Sequence, residues 1–244
     1  MRTLFTDDEL KKAVEDPKSG TGTGFGLYRN GYRMHGQDFW GMKPGSEVLR
    51  FLDMVTSIQW NACSVLEIGA GTGKNILEFV RQDAMRAVAV EIDSLAVSEL
   101  LNILVRLEEA GLVPEGKLAI VKDDALNFLR HNKEQFDIVI CYGFLHVFKK
   151  QDQLQEVIDL ISGTVQNDGY LILQSLTDKY PAPLSQSELE GVIVTSEFVK
   201  QSFKPGIWNT LHWNEEDIVH SHAGSEKDHR HGSVRVIFKH SISS

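Results

Sequence analysis

A chain of 244 residues, 42% hydrophobic and 24% charged, has the composition of a folded globular protein with room for one sizeable α/β core, which excludes a disordered chain. A net charge of −9 and a pI near 5.5 oppose a phosphate backbone, and the Lys11-Lys12 and Lys149-Lys150 doublets make no basic patch, so no nucleic-acid partner is expected. Two cysteines in apolar runs, Cys63 and Cys141, exclude a disulfide framework. The lack of a signal-like apolar stretch or a spanning run makes the cytoplasm, with no membrane partner, the expected setting.

Residues 6–16 predict a short helix, because Thr6 and Glu9 make a capping box and Pro17 stops the run. The stretch 20–45 is too rich in glycine for regular structure and too aromatic for a simple linker. Its Tyr28, Tyr32, Phe39 and Trp40 suit either a water-excluding lid hinged on glycines or packing against a sheet edge. After Pro44, the residues Val48, Leu49, Leu52 and Val55 recur at helical spacing.

From residue 63 the pattern alternates strand and helix. CSVLEI (63–68) predicts a buried strand, followed by a glycine turn and the helix KNILEFVRQ (74–82). AVAVEI (87–92) is a second strand, and Ser94 caps a long helix that Gly111 closes. LAIVK (118–122) leads into the helix 123–132, and FDIVICY (136–142) precedes the helix QDQLQEVIDLIS (151–162). Asn167-Asp168-Gly169 predicts a turn before the strand YLILQSL (170–176), and HGSVRVIFKHSI (231–242) predicts a closing strand set antiparallel. Short apolar strands alternating with amphipathic helices make a mostly parallel sheet covered on both faces. The expected division is an N-terminal helical or lid segment, 1–60, on a sheet domain, 61–244.

The segment VLEIGAGTGKN (65–75) carries the chemistry. A phosphate-cradling P-loop needs glycine where Ile68 stands and Ser or Thr where Asn75 stands. A dinucleotide fingerprint needs glycine at Lys74. What remains is Gly69, Gly71 and Gly73 behind an acidic residue, Glu67, which suits a cationic ligand and repels phosphate.

This segment resembles the first motif of the class I S-adenosylmethionine-dependent methyltransferases, and later strands agree in order. Glu91 ends the second strand, Asp124 and Ala125 follow the third, FDIVICYGFLHVF resembles the family's FDxVxxxxxLHH with Val147 for the second histidine, and NDGYLIL stands for its PGG turn. The resemblance spans 65–173 and implies a Rossmann-like doubly wound α/β fold, S-adenosyl-L-methionine as cofactor and methyl transfer. It implies cofactor contacts from Glu67, Gly69, Ala70, Gly71, Gly73, Asn75, Glu91, Ile92, Asp124, Ala125, Cys141 and Tyr142. Acidity and the absence of an Asn/Asp-Pro-Pro-Tyr-type sequence after the fourth strand favour a small-molecule acceptor. A His-Arg pair before the closing strand is similar to the tellurite-resistance and thiopurine type. A protein acceptor and a non-catalytic cofactor-binding scaffold are the alternatives.

His146, after the fourth strand, is the candidate general base, with helix capping or a satisfied core histidine as its other reading, and Tyr142 a candidate lining of the methyl pocket. If AGSEKD (223–228) is a hairpin turn, His222 faces His229 and His220 faces His231, which groups four histidines on one face. An exposed histidine-rich hairpin, a metal site and an acceptor-pocket wall are the readings of that cluster. No metal is expected on balance, because nothing marks a second shell.

Overall fold

The computed structural model describes residues 43–181, 190–220 and 229–241. The expected helix at 6–16, the aromatic segment with Tyr28, Tyr32, Phe39 and Trp40, and His222 lie outside them. The strands are β1 (Ser64–Ile68), β2 (Arg86–Glu91), β3 (Leu118–Lys122), β4 (Phe136–Tyr142), β5 (Val165–Thr177), β6 (Trp208–His220) and β7 (His229–His240). The helices are α1 (Ser46–Met54), α2 (Ile76–Arg81), α3 (Ser94–Glu109), α4 (Ala125–His131), α5 (Gln151–Thr164) and α6 (Ser196–Ser202).

One seven-stranded sheet runs β3-β2-β1-β4-β5-β7-β6, with β1 to β5 parallel and β7 and β6 antiparallel. This is the expected Rossmann-like doubly wound arrangement. Central strands are continuously apolar because alternate residues enter two cores. Ile68, Val90, Cys141, Leu173 and Val236 meet Leu129 of α4 and Leu154 and Ile158 of α5. Val65, Ala89, Ile140, Ile172 and Ile237 face the opposite way, toward Phe51 of α1, Phe79 of α2 and Leu100 of α3. On α1 the buried stripe is Glu47, Val48 and Phe51, whereas Leu49, Leu52 and Val55 of the expected face are half-buried.

Three features depart from the sequence reading. The Asn167-Asp168-Gly169 turn is an interruption inside β5: Phe136 pairs with Val165 but Ile138 pairs with Tyr170, so β5 carries extra residues against β4. Asp168 takes a positive φ of 61° there, and a Cβ on Gly169 would stand 2.8 Å from the Gln166 carbonyl and 2.9 Å from that of Asp137. Strand β6 was expected only at its end, as one arm of the conditional histidine hairpin, because an edge strand pairs through its main chain and keeps polar side chains; Glu215, Glu216 and Asp217 break any apolar run. The histidine register is also different. His220 pairs with His229, and His231 pairs with Ile218, so the expected His220–His231 pairing does not form.

Candidate active site

In a doubly wound sheet, ligands enter the crevice outside the carboxyl ends of the strands, where the strand order reverses. Here that point lies between β1 and β4. The two segments flanking it are the glycine loop 69–73 and the turn 142–147.

Gly69, Gly71 and Gly73 all have positive φ, at 70°, 57° and 82°. Gly69 and Ala70 donate to the Val90 carbonyl at 2.9 and 3.0 Å, which pins the loop to β2. A Cβ on Gly73 would lie 2.2 Å from Leu100 Cδ1, and one on Gly69 would lie 2.9 Å from Phe144 Cδ2. The backbone therefore sits close to both flanking elements, and glycine is required for conformation and for space.

Two buried carboxylates shape this loop from beneath. Glu67 accepts from Asn75 Nδ2 at 2.8 Å and from the Ile76 amide at 2.9 Å, so both its oxygens serve the start of α2. Asn75 Oδ1 in turn accepts from the Gly45 amide at 2.8 Å, which ties the chain entering α1 to the loop. Glu91 Oε2 accepts from the Gly71 amide at 2.8 Å, while Oε1 accepts from Ile92 and Asp93 at 2.9 and 2.8 Å. A carboxylate offers about four acceptor positions; Glu91 spends three on the backbone, and the remaining one is on Oε2. Burial pushes both carboxyls up, Glu67 to about 8 despite its hydrogen bonds to Asn75 and Ile76 and the nearby Lys74.

Beyond β3, Asp124 caps α4 by accepting from Asn127 at 3.0 Å and keeps an exposed carboxylate, beside the half-buried Ala125. Half-buried Ile92 follows β2 directly. Cys141 is fully buried among the side chains facing α5, and burial raises its thiol pKa, so only its backbone is near the crevice.

The histidine expected as a base is held differently. His146 is 2% exposed and its Nδ1 accepts from the Leu176 amide at 3.4 Å. Burial, then Lys149 and His231, lower it to about 3, so the ring is neutral and weakly basic. Its satisfied-core reading is the one the geometry matches. His231 is buried too, and among the described residues no group of three His, Cys, Asp or Glu is placed to hold a metal.

Sequence reasoning missed a polar cluster on the other side of the turn. Tyr142, half-buried at the end of β4, donates its hydroxyl to Glu47 Oε2 at 3.3 Å. Glu47 is 1% exposed, accepts from Ser46 Oγ at 2.7 Å, and stands 3.7 Å from Arg235 Nε and 4.0 Å from His212 Nε2. Arg235 also donates to Ser46 Oγ at 2.8 Å and pairs with Glu216 at 2.6 Å. The signal was the i, i+4 spacing of Glu47 and Phe51, which puts a carboxylate on the buried stripe of α1. Phe144, whose ring lies against Gly69, was missed because a lone aromatic in a turn has no pattern.

The model of the spermine/spermidine synthase domain matches residues 50–201. A glycine/sarcosine N-methyltransferase of Aphanothece halophytica is 29% identical over 136 residues, 55% of this chain and 47% of that protein, so the match spans less than half of the relative's length. Among solved structures, TehB from Haemophilus influenzae superposes with a TM-score of 0.62 at 16% identity, covering 80% of this chain and 62% of that one. The N-methyltransferase NodS from Bradyrhizobium japonicum WM9, in complex with S-adenosyl-L-homocysteine, gives 0.52 at 16% identity over 80% and 84% of the two chains. At such identities the likeness is one of fold, and the fold is that of the class I methyltransferases.

Proposed function

The chain belongs to the spermine/spermidine synthase domain family, and from that premise we propose that it is an S-adenosyl-L-methionine-dependent methyltransferase acting on a small-molecule acceptor. The observation that carries the reading is the positive-φ loop Gly69, Gly71 and Gly73, clamped by Glu67 and Glu91 at the point where the strand order reverses. When bound, the cofactor supplies a methyl group already activated on a sulfonium. The residues present fit it. The side-chain-free, positive-φ loop suits close approach of a methionine-like tail, the spare acceptor position of Glu91 suits one ribose hydroxyl, and exposed Asp124 with the Ala125 amide suits an adenine edge. The acidic pair Glu67 and Glu91 beneath the loop suits a cationic ligand better than a phosphate. Glu67, Asn75, Gly73 and Cys141 set the shape of the site through the contacts described above, whereas Gly69, Ala70, Gly71, Glu91, Ile92 and Tyr142 line it.

The acceptor in this reading is an amine. The N-methyltransferase relative and the polyamine-related family both support that class. The main task of the protein is to exclude water and align nucleophile and methyl group; such alignment supplies up to ~7–11 kcal/mol. Among the described residues no helix is long and apolar enough to cross a membrane. Family membership favours a second reading, aminopropyl transfer from the decarboxylated cofactor. Incubation with an amine panel and each donor in turn separates the two, since the product mass distinguishes an added methyl from an added aminopropyl group. Methylated product with S-adenosylmethionine is the expected result; aminopropylated product alone would replace the first reading with the second.

A further inference from the structure

The Tyr142 cluster lies beside the crevice but has no role in shaping the glycine loop. Tyr142, Gln174, Arg235 and Asn214 form one cross-strand row immediately beyond Ile68 and Cys141, at the carboxyl edge of the parallel strands. They share the sheet face covered by α1, where Glu47 enters from the helix start. Gly45 packs so closely on the Tyr142 ring that a Cβ there would stand 2.3 Å from Cζ and 2.7 Å from the hydroxyl. The same Gly45 donates its amide to Asn75. The hydroxyl is thus fixed within one residue of the glycine loop's own anchor.

The charged and titratable groups facing the pair come from three elements: Glu47 and Arg50 on α1, His212 and Glu216 on β6, and Arg235 on β7. Two of their nitrogens, Arg235 Nε and His212 Nε2, are buried and have no hydrogen-bond partner. Both point at Glu47 from just beyond bonding distance, at 3.7 and 4.0 Å. A buried polar nitrogen without a hydrogen bond carries an uncompensated desolvation cost, so a cluster that keeps two of them is not arranged for stability alone. Glu47 Oε2 accepts from both Ser46 Oγ and the Tyr142 hydroxyl, so the tyrosine proton already lies on a direct path to the carboxylate.

Resting on the reading of the site as a transferase for amines, we propose that Tyr142 receives the acceptor's amine and that Glu47, acting through Tyr142, takes its proton. An amine arrives as an ammonium ion and is no nucleophile until it loses a proton. That proton passes to the Tyr142 oxygen as the tyrosine's own proton passes to Glu47. The freed nitrogen lone pair would then be available to the methyl group that the bound cofactor would supply, with its sulfonium sulfur as leaving group, and Glu47 returns its proton through Tyr142 after product leaves. Tyr142 is the catalytic residue of the pair; Glu47 is a positioning residue and proton store. Burial beside Glu47 raises the tyrosine pKa, which keeps its proton in place until an acceptor arrives.

The test uses the full chain, loaded with S-adenosylhomocysteine and labelled at tyrosine Cζ, with glycine, sarcosine and putrescine as probes. One of these amines is expected to shift the Tyr142 resonance, identified by its loss in Tyr142→Phe. With the methyl donor, Tyr142→Phe and Glu47→Gln should lower kcat/KM for that amine by at least about a hundredfold, on the general acid–base scale. The acid limb of the kcat/KM profile should vanish in Glu47→Gln and return in Glu47→Asp. Melting temperatures check that both variants fold; if Glu47→Gln does not, Tyr142→Phe carries the test. No resonance shift with any of the three amines, or full turnover in Tyr142→Phe, overturns the proposal while leaving the cofactor reading intact. Failure of the unaltered protein to bind S-adenosylhomocysteine overturns both.

Discussion

Glu67 is the residue on which the glycine loop depends, and its partners allow no amide in its place. Both oxygens accept, from Asn75 and Ile76, and Asn75 cannot turn its own oxygen toward an amide without releasing Gly45. Glu67→Gln is expected to lower stability by about 1–3 kcal/mol through one buried donor left unmatched, read as a shift in the denaturant midpoint, and to weaken cofactor binding in parallel. The acidic residue before the glycines was legible in the sequence, but its role was not: spacing finds a carboxylate and cannot say whether it faces ligand or backbone. His146 shows the same limit, since LHV after a strand gives no sign that the ring turns into the core. Its folded-state pKa is lowered from 6.5 to about 3, so the unfolded chain binds the extra proton between those values. Stability from this group is complete above pH 6.5 and is lost as pH falls toward 3. Thermal melts of His146→Gln should therefore lose less stability than the parent chain across that window; an equal loss would contradict the buried neutral ring.

Elements were legible where two buried faces demanded apolar runs. Strands β1 to β5 and helices α2 to α5 were expected from period and turn signals; the cap of α3 is Asp93, whose carboxylate accepts from Leu95 and Ala96, and not the expected Ser94, which is the first helical residue, while Asp124 caps α4. The misses share one physical cause. Strand β6, helix α6 and the interruption in β5 are set by main-chain pairing and local backbone conformation, which leave no hydrophobic period. The interruption is the sharpest of these, since Gly169 sits between two carbonyl oxygens at 2.8 and 2.9 Å from a would-be Cβ. Gly169→Ala should destabilise the chain by about 1–3 kcal/mol, the usual cost of overpacking, and hydrogen exchange should show β5 and β4 opening more readily. A neutral outcome would mean that the strand interruption relaxes without cost.

At the scale of the molecule, the parallel half of the sheet and its glycine loop form the part that the sequence resemblance covered, and the comparisons match the same region. The proposed acceptor side is assembled from α1, β6 and β7, where Tyr142 meets Glu47 across 95 positions of chain and Arg235 meets Ser46 across 189. Contacts of that range have no local signature, which is why the glycine loop was readable in the sequence and the Tyr142–Glu47 cluster was not. The central claim, a cofactor held by the loop between β1 and α2, is tested most directly by calorimetric titration of the chain and of Gly71→Arg with S-adenosylmethionine, S-adenosylhomocysteine and NAD. Saturable binding of the first two by the parent chain alone, lost in Gly71→Arg without loss of fold, is the expected result. Binding of NAD in preference, or equal affinity in the folded variant, would contradict it.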